Sequence, residues 1–311
     1  VRLEEAVRGA DVLICTTPAH VHKLLARDLA RHLKPEQSVV LYPGRTGGVL
    51  EFRKVLQQHG GTSDALVVET QTIAYACRKT DAKVHVFGVK SELPFQGLPS
   101  NRLREFAAEI RKVFPNWKQA PSLWHTSLHN IGMLFHPTPT LLNTGRMESG
   151  TPFDYYIDGF TPSIARIVEQ LDKERLAVAK AMGIQLPTVL QWLKTSYGCS
   201  GTNLYTALQN NQAYVGIKAP MLKHVDDKKQ LRYVIEDVPP GLVPVAALGE
   251  RFGVSTATIN AVSDLANVFY EMDFRATGRT LQQLGLDGLS NDQIRNLKGA
   301  IRPFRLQARQ C

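Results

Sequence analysis

The sequence predicts an α/β domain followed by an all-helical domain. Short, wholly apolar runs alternate with helical patterns over about the first hundred residues, and from residue 121 onward convincing parallel-strand runs are absent. Apolar strands of this kind are typical of a largely parallel sheet covered by helices on both faces. The length of 311 residues suffices for two domains. We expect a doubly wound domain over residues 1–120 and a helical domain over 121–311.

Strand and helix patterns alternate in the first domain. The predicted strands cover residues 11–16, 38–42, 65–69 and 83–88, the last being antiparallel or at an edge. The predicted helices cover residues 3–8, 20–33, 49–58 and 102–113. Turn-rich residues 115–122 then mark the expected boundary.

The clearest helix of the chain lies in the second domain. Thr161 is placed to cap it, Pro162 suits its first turn and Gly183 is placed to end it. Further helical patterns cover residues 188–196, 202–209, 244–252 and 256–270.

Composition narrows the class of protein. The 37 Lys and Arg against 28 Asp and Glu leave a charge of +9, which favours anionic partners. No basic helix interleaved with aromatic residues is present, so we expect no nucleic-acid partner. No apolar run approaches the roughly 20 residues that cross a bilayer, so we expect no membrane partner. The scattered cysteines favour a reducing compartment and a cytoplasmic location: Cys15, Cys77, Cys199 and Cys311.

The start of the chain lacks two expected features. It begins at Val1 without an initiator Met, and no GxGxxG turn occurs in it. A doubly wound nucleotide domain normally begins with a strand, such a glycine-rich turn and a helix whose amino terminus holds the pyrophosphate. We therefore expect an amino-terminally truncated chain in which the first strands of the sheet are missing.

The loops after the predicted strands are candidate ligand contacts, because ligands bind at the carboxyl ends of strands in open α/β sheets. Thr17 and Pro18 follow the first strand, Pro43 to Arg45 follow the second, and Glu69 and Thr70 end the third. Glycines such as Gly44 let a ligand approach the backbone, and Arg45 could pair with a carboxylate. The alternative is a set of tight turns with a solvated Arg45.

His136 is a candidate general acid/base. It follows an apolar run and precedes Pro137, which indicates the end of an element facing the domain junction. A structural role in the core or on the surface is the alternative. His125 and His129 have the spacing of a metal-binding pair, but no third ligand accompanies them, and we predict no metal site.

Two acids, Glu236 and Asp237, precede a rigid turn formed by Pro239 and Pro240. A carboxylate fixed in this way could orient a catalytic imidazole and favour its protonated form. A capping role before the helix that begins near Val243 is equally compatible with the spacing.

Taken together, these segments resemble the opine dehydrogenase family of the octopine and nopaline dehydrogenase type. The resemblance rests on their joint order along nearly the whole chain: residues 9–12, 18–19, 43–48, 69–70, 129–137, 198–204, 236–239 and 241–244. It implies a partial Rossmann-type NAD(P)-binding domain followed by a helical substrate and catalytic domain. It also implies reductive condensation of the amino group of an amino acid with an α-keto acid, using NADH or NADPH.

The resemblance assigns roles to particular residues. It implies that His136 is the catalytic histidine and Asp237 its partner. Substrate binding falls on Arg232, Glu69, Arg45 and Asn130, and cofactor binding falls on Thr17, Pro18, Pro43, Gly44 and Thr70.

Two other functions remain open at this point: a keto-acid or hydroxy-acid dehydrogenase of the same two-domain class, and a truncated, non-catalytic binding or oligomerisation module. The sequence does not name the amino acid or the keto acid, and it does not choose between NAD and NADP. A homodimer is compatible with it.

Overall fold

The computed structural model describes residues 2–222 and 231–297. The strands are β1 (Val12–Cys15), β2 (Ser38–Leu41), β3 (Leu66–Thr70), β4 (Tyr75–Thr80), β5 (Lys83–Val89), β6 (Leu93–Leu98) and β7 (Trp117–Gln119). The α-helices are α1 (Leu3–Arg8), α2 (His22–Leu29), α3 (Gly48–Gln58), α4 (Leu103–Val113), α5 (Leu123–Ser127), α6 (Gly132–Phe135), α7 (Pro137–Leu142), α8 (Thr144–Glu148), α9 (Pro162–Ala181), α10 (Val189–Tyr197), α11 (Leu204–Gln209), α12 (Arg232–Ile235), α13 (Val243–Arg251), α14 (Ala257–Tyr270), α15 (Phe274–Thr277), α16 (Leu281–Leu284) and α17 (Asn291–Arg295).

Five strands form one sheet in the order β1-β2-β3-β6-β7. β1, β2 and β3 are parallel, β6 is antiparallel to β3, and β7 is parallel to β6. The predicted strand at 83–88 forms an antiparallel pair with β4, outside the main sheet. The sequence analysis missed β4, β6 and β7, because β4 carries polar residues, β6 contains Pro94 and Gly97, and β7 has only three residues.

Alternation along the strands divides the sheet residues between two cores. Val39, Leu41 and Val67 belong to a large buried cluster that continues through the helical half. Val40 and Val68 belong to a second cluster, which contains the buried residues of α4. One face of the sheet therefore shares its core with the helical half. The division at residues 120 and 121 stays a prediction.

The helical half matches the predicted pattern. Thr161 caps α9 by accepting a hydrogen bond from the Ile164 N–H, Pro162 occupies the first turn, and Gly183 has a φ of 78° just beyond the helix. Within residues 121–222 and 231–297, the only β pairing is an isolated bridge between Asp154 and Lys218. None of the helices in the described part of the chain has the length and apolar character needed to cross a membrane.

Candidate functional site

A cavity of about 600 Å³ lies at the carboxyl ends of β1 and β2, against the helical half. Its wall contains seven of the candidate site residues singled out in the sequence: Thr17, Pro18, Pro43, Arg45, His136, Arg232 and Glu236. The β4–β5 hairpin contributes a further side, with Cys77 and Lys90. We call this cavity the cleft.

His136 and Asp237 meet at the cleft although 101 residues separate them. His136 lies between α6 and α7, and Asp237 directly precedes a π-helix at Val238–Leu242. The His136 Nδ1 is 2.6 Å from Asp237 Oδ2, and the His136 Nε2 is 3.0 Å from the Tyr156 hydroxyl. The predicted proximity is confirmed. The Asp237 carboxylate accepts no capping hydrogen bond from the π-helix, so of its two predicted roles the structure shows the contact with the imidazole.

Asp237 is fully buried yet surrounded by positive charge. Burial by itself would raise the pKa of this carboxyl, but the Arg45 guanidinium, 3.3 Å away, and His136 outweigh burial and lower the pKa below its usual value. The carboxylate is therefore ionised at neutral pH. An ionised Asp237 can accept the Nδ1–H of His136, which leaves Nε2 directed at the Tyr156 hydroxyl.

Arg45 is held by acids and is not a solvated turn residue. Only 13% of its side chain is exposed, and its Nη2 lies 3.5 Å from Glu236 Oε2. Its Nη1 also donates to the Asn130 Oδ1 over 3.3 Å. Glu236 in turn accepts a 2.7 Å hydrogen bond from the Nε of Arg232. Glu236 thus bridges two arginines at the cleft wall.

Sequence reasoning missed Gly132, Tyr156 and Tyr233 as site residues. A Cβ at Gly132 would collide with the Arg45 guanidinium and with Asp237 Oδ1, so this position must be glycine for the two charges to meet. The Tyr233 ring stacks on His136 with centroids 4.6 Å apart. Because these partners are distant in sequence, the only signal available was the glycine four residues before His136.

Four predicted contact residues do not line the cleft: Glu69, Asn130, Gly44 and Thr70. Glu69 is fully buried, and its carboxylate accepts hydrogen bonds from the Val49 N–H and from the hydroxyls of Thr126 and Ser127. Burial raises the pKa of Glu69 to about 7. The assignment of Glu69 to substrate contact is corrected on this geometry: its carboxylate joins α3 to α5.

Gly44 and Thr70 also pack inside the protein and do not face the cleft. A Cβ at Gly44 would collide with Glu69, so this glycine makes room for a side chain and not for a ligand. The Thr70 hydroxyl donates to the Thr72 carbonyl, and Thr70 is 1% exposed. Their assignment to cofactor contact is corrected accordingly. Asn130 acts behind the cleft wall, where it contacts Arg45 and the Thr46 hydroxyl.

His125 and His129, which have the spacing of a metal-binding pair, have separate surroundings in the structure. The His125 Nδ1 is 2.8 Å from the Ser122 hydroxyl, and burial lowers the pKa of His129 to about 3. Over residues 2–222 and 231–297 no group of three or more His, Cys, Asp or Glu side chains is arranged to hold a metal ion.

The cleft is placed to receive the nicotinamide half of a dinucleotide. Thr17, Pro18 and Pro43 lie at strand ends on the same wall as His136, and the carboxyl ends of the strands are where an open α/β sheet binds its ligands. The glycine-rich turn that would hold the pyrophosphate does not occur among the 311 residues. The fit therefore concerns the nicotinamide side alone.

Comparison with known proteins agrees with this geometry. Residues 119–270 match the family model described as NAD/NADP octopine/nopaline dehydrogenase, alpha-helical domain. An opine dehydrogenase of Arthrobacter sp. (strain 1C) is 41% identical over 292 residues, covering 94% of this chain and 79% of that protein.

Two solved structures share the fold. Octopine dehydrogenase in complex with NADH and agmatine has a TM-score of 0.71 at 22% identity, over 96% of this chain and 80% of that one. Yersinopine dehydrogenase with NADP+ bound has a TM-score of 0.70 at 15% identity, over 94% of this chain and 79% of that one.

Fold and site together define a class, the NAD(P)-dependent oxidoreductases in which a Rossmann-type sheet is followed by a helical half. Within that class, the chain belongs to the opine dehydrogenase family. Its reaction is the NAD(P)H-dependent reductive condensation of an amino acid with an α-keto acid.

Proposed function

We propose that His136 is the general acid/base of this condensation and that Asp237 orients it. The 2.6 Å contact between them at the cleft is the observation that carries the proposal. The amine must lose a proton as it attacks the keto carbon, and the carbinolamine oxygen must gain one before water leaves to give the imine. His136 Nε2 faces the cleft side of the pair and can move both protons.

Arg45 and Arg232 support the reaction electrostatically. Arg45 keeps Asp237 ionised, so the carboxylate can accept the Nδ1–H and the imidazole keeps one orientation. Arg232, more exposed at the cleft wall, is the arginine that can meet a substrate carboxylate. Glu236 and Asn130 position Arg45.

Thr17, Pro18 and Pro43 would hold the nicotinamide half of NAD(P)H against the cleft. When bound, the nicotinamide supplies the hydride that reduces the imine.

The substrates named for relatives define the classes to test. Octopine dehydrogenase structures contain agmatine, arginine or pyruvate. By analogy, we propose an amino acid or related amine and an α-keto acid for this chain. The thiols of Cys15 and Cys199, which form no disulfide in the described part of the chain, support a cytoplasmic location, and a homodimer stays a prediction.

The first prediction is amine-dependent turnover. Oxidation of NADH or NADPH with pyruvate is expected only when an amino acid is present, and His136→Ala should lower kcat by about 10²–10⁴-fold because a positioned acid/base is lost. Absorbance at the reduced nicotinamide band measures both effects.

His125→Ala is the matched control, since His125 lies outside the cleft wall and contacts Ser122. It should leave kcat within about twofold on the ordinary scale of remote substitutions. Oxidation with keto acid alone would favour the hydroxy-acid dehydrogenase, and near-normal turnover of His136→Ala would remove the histidine from its proposed role.

A further inference from the structure

Some of the cationic side chains of the cleft wall already pair with a carboxylate of the protein, and others do not. Arg45 lies 3.3 Å from Asp237 and 3.5 Å from Glu236, and Arg232 lies 2.7 Å from Glu236. Two guanidinium groups thus face two carboxylates. These four charges cancel, although the reaction brings two substrate carboxylates into the same cleft.

The two lysines of the wall differ in the same way. Lys218 lies 2.6 Å from Asp154, so its charge is also balanced. Within the described ranges, Lys90 has no carboxylate in ion-pair contact. It is therefore the cleft lysine whose charge no carboxylate balances.

Lys90 is fixed at the base of the β4–β5 hairpin. The residue is 5% exposed, its backbone N–H donates to the Ala74 carbonyl, and its Nζ donates to the Ile73 carbonyl over 2.8 Å. The Nζ also lies 5.8 Å from the centroid of the Tyr197 ring. These contacts hold the ammonium on the cleft wall without neutralising it.

An ammonium has three N–H donors, and a carbonyl and the face of a ring do not satisfy all of them. Burial without a counter-charge lowers the pKa of Lys90 to about 8, while the nearby Cys77 raises it slightly. A carboxylate arriving beside Nζ would supply both the missing acceptor and the missing charge.

We propose that Lys90 binds the carboxylate of one of the two substrates. The inference rests on the proposed function for the identity of those substrates. Lys90 would add a carboxylate-binding group on the β4–β5 side of the cleft, whereas Arg45 and Arg232 come from other elements. A purely structural Lys90, by contrast, would only tie the hairpin ends through Ile73 and Ala74.

The test is a comparison of Lys90→Gln, Lys90→Arg and the control Lys218→Gln. In Lys90→Gln, the KM of either the keto acid or the amino acid should rise at least about tenfold, as expected for the loss of a charge-assisted hydrogen bond. Lys90→Arg should restore most of this loss because it keeps the charge. Lys218→Gln should leave both KM values within about twofold, because that charge is balanced by Asp154.

Substrates without the carboxylate separate binding from structure. Acetaldehyde in place of pyruvate, and the decarboxylated amine in place of the amino acid, should show no further loss in Lys90→Gln. An equal loss with and without the carboxylate would overturn the proposal, and so would two unchanged KM values. The KM that changes identifies which substrate Lys90 meets.

Calorimetric titration with pyruvate, L-alanine, L-phenylalanine and L-arginine provides a readout independent of turnover. Weaker binding of one of these ligands to Lys90→Gln supports the carboxylate site even if the wild-type chain shows no amine-dependent turnover, which would contradict the proposed function alone. Unchanged binding of all four overturns the Lys90 proposal.

Discussion

Asp237 and Glu69 are both fully buried, yet their carboxyl groups differ in charge behaviour. Burial raises the pKa of Glu69 to about 7, because desolvation outweighs the hydrogen bonds from two hydroxyls and a backbone N–H and the charge of Arg279. The pKa of Asp237 is lowered, because Arg45 and His136 outweigh its burial. The balance between burial and partner charge therefore sets the direction of the pKa shift of a buried carboxyl group.

The substitution Asp237→Asn tests whether the charge of Asp237 is needed to orient His136. The amide keeps the size of the side chain but removes the charge that fixes the tautomer and orientation of His136. We expect kcat to fall by about 10²–10⁴-fold, the contribution typical of a correctly held acid/base. Steady-state kinetics measure the fall, and calorimetry with NADPH should show unchanged cofactor binding.

Asp172→Asn is the matched control, since Asp172 is also buried and pairs with an arginine, Arg175, at 2.6 Å. It should lower stability without a comparable loss of kcat. An Asp237→Asn enzyme with kcat within tenfold of the wild type would exclude the proposed orientation role.

Local signals predicted some elements well. α9 begins and ends as Thr161, Pro162 and Gly183 indicate, because caps and breakers act within a turn of the residues that carry them. β6 was missed because its pairing with β3 and β7 stabilises a strand containing Pro94 and Gly97. Such strands depend on neighbours that lie far away in the sequence.

The site shows the same limit. The sequence was enough to select His136 and Asp237 as a candidate acid/base and its partner, because few residue types can move a proton near neutral pH. The direction in which Glu69 and Gly44 face was not, since a strand-end residue can point into the cleft or beneath the loop. Gly132 was unpredictable, because its role depends on the meeting of Arg45 and Asp237.

The loop of residues 43–48 is the element that positions Arg45, and a buried arginine holds it. The Nη1 of Arg279 donates to the carbonyls of Gly44 and Thr46, on either side of Arg45, over 2.8 and 3.0 Å. Its Nε donates to Glu51 over 2.8 Å. Arg45 itself has a φ of 61°, a strained conformation for a residue with a side chain.

Arg279→Gln should therefore release the loop. We expect a stability loss of about 3 kcal/mol, because Glu51 loses a buried charged partner and keeps only Lys23, 3.2 Å away. We also expect a fall in kcat/KM beyond any loss of folded protein, because Arg45 is no longer held against Asp237. Urea unfolding and kinetics at a temperature where both proteins are folded measure the two effects separately.

Arg53→Gln is the matched control. Arg53 lies on the same helix as Glu51, is 2% exposed, and binds the carbonyls of Ser63, Ala65 and Leu98 away from the cleft. It should be destabilised with kcat/KM unchanged. The same kinetic loss in both variants would show that Arg279 has no specific effect on Arg45.

At the scale of the whole molecule, the sheet and the helical half share one buried core that also contains polar ties. Glu69, at the end of β3, accepts hydrogen bonds from Thr126 and Ser127 of α5. Arg279 adds a second tie, from the helical half to the loop after β2. The cleft therefore lies between a sheet and a helical half that are joined by hydrogen bonds as well as by apolar contacts.

The Glu69 tie makes the stability of the whole molecule depend on pH. Its pKa of about 7 in the folded protein exceeds its ordinary value of 4.5, so the folded state holds the proton more tightly. This contribution is fully present below about pH 4.5 and is lost as pH rises through about 7, with a size on the order of 3 kcal/mol. Glu69→Gln cannot titrate, so relative to the wild type it should gain that amount between pH 4.5 and pH 8.

Urea unfolding of both proteins at the two pH values measures the change, because the other titrating groups cancel in the difference between variant and wild type. Gln37→Ala is the control: it removes a buried side chain that binds the carbonyls of Val7 and Ala10 and cannot titrate. Its stability loss should be the same at both pH values. A Glu69→Gln difference that is equally independent of pH would mean that Glu69 is ionised in the fold, and that the two halves are joined by a buried charge.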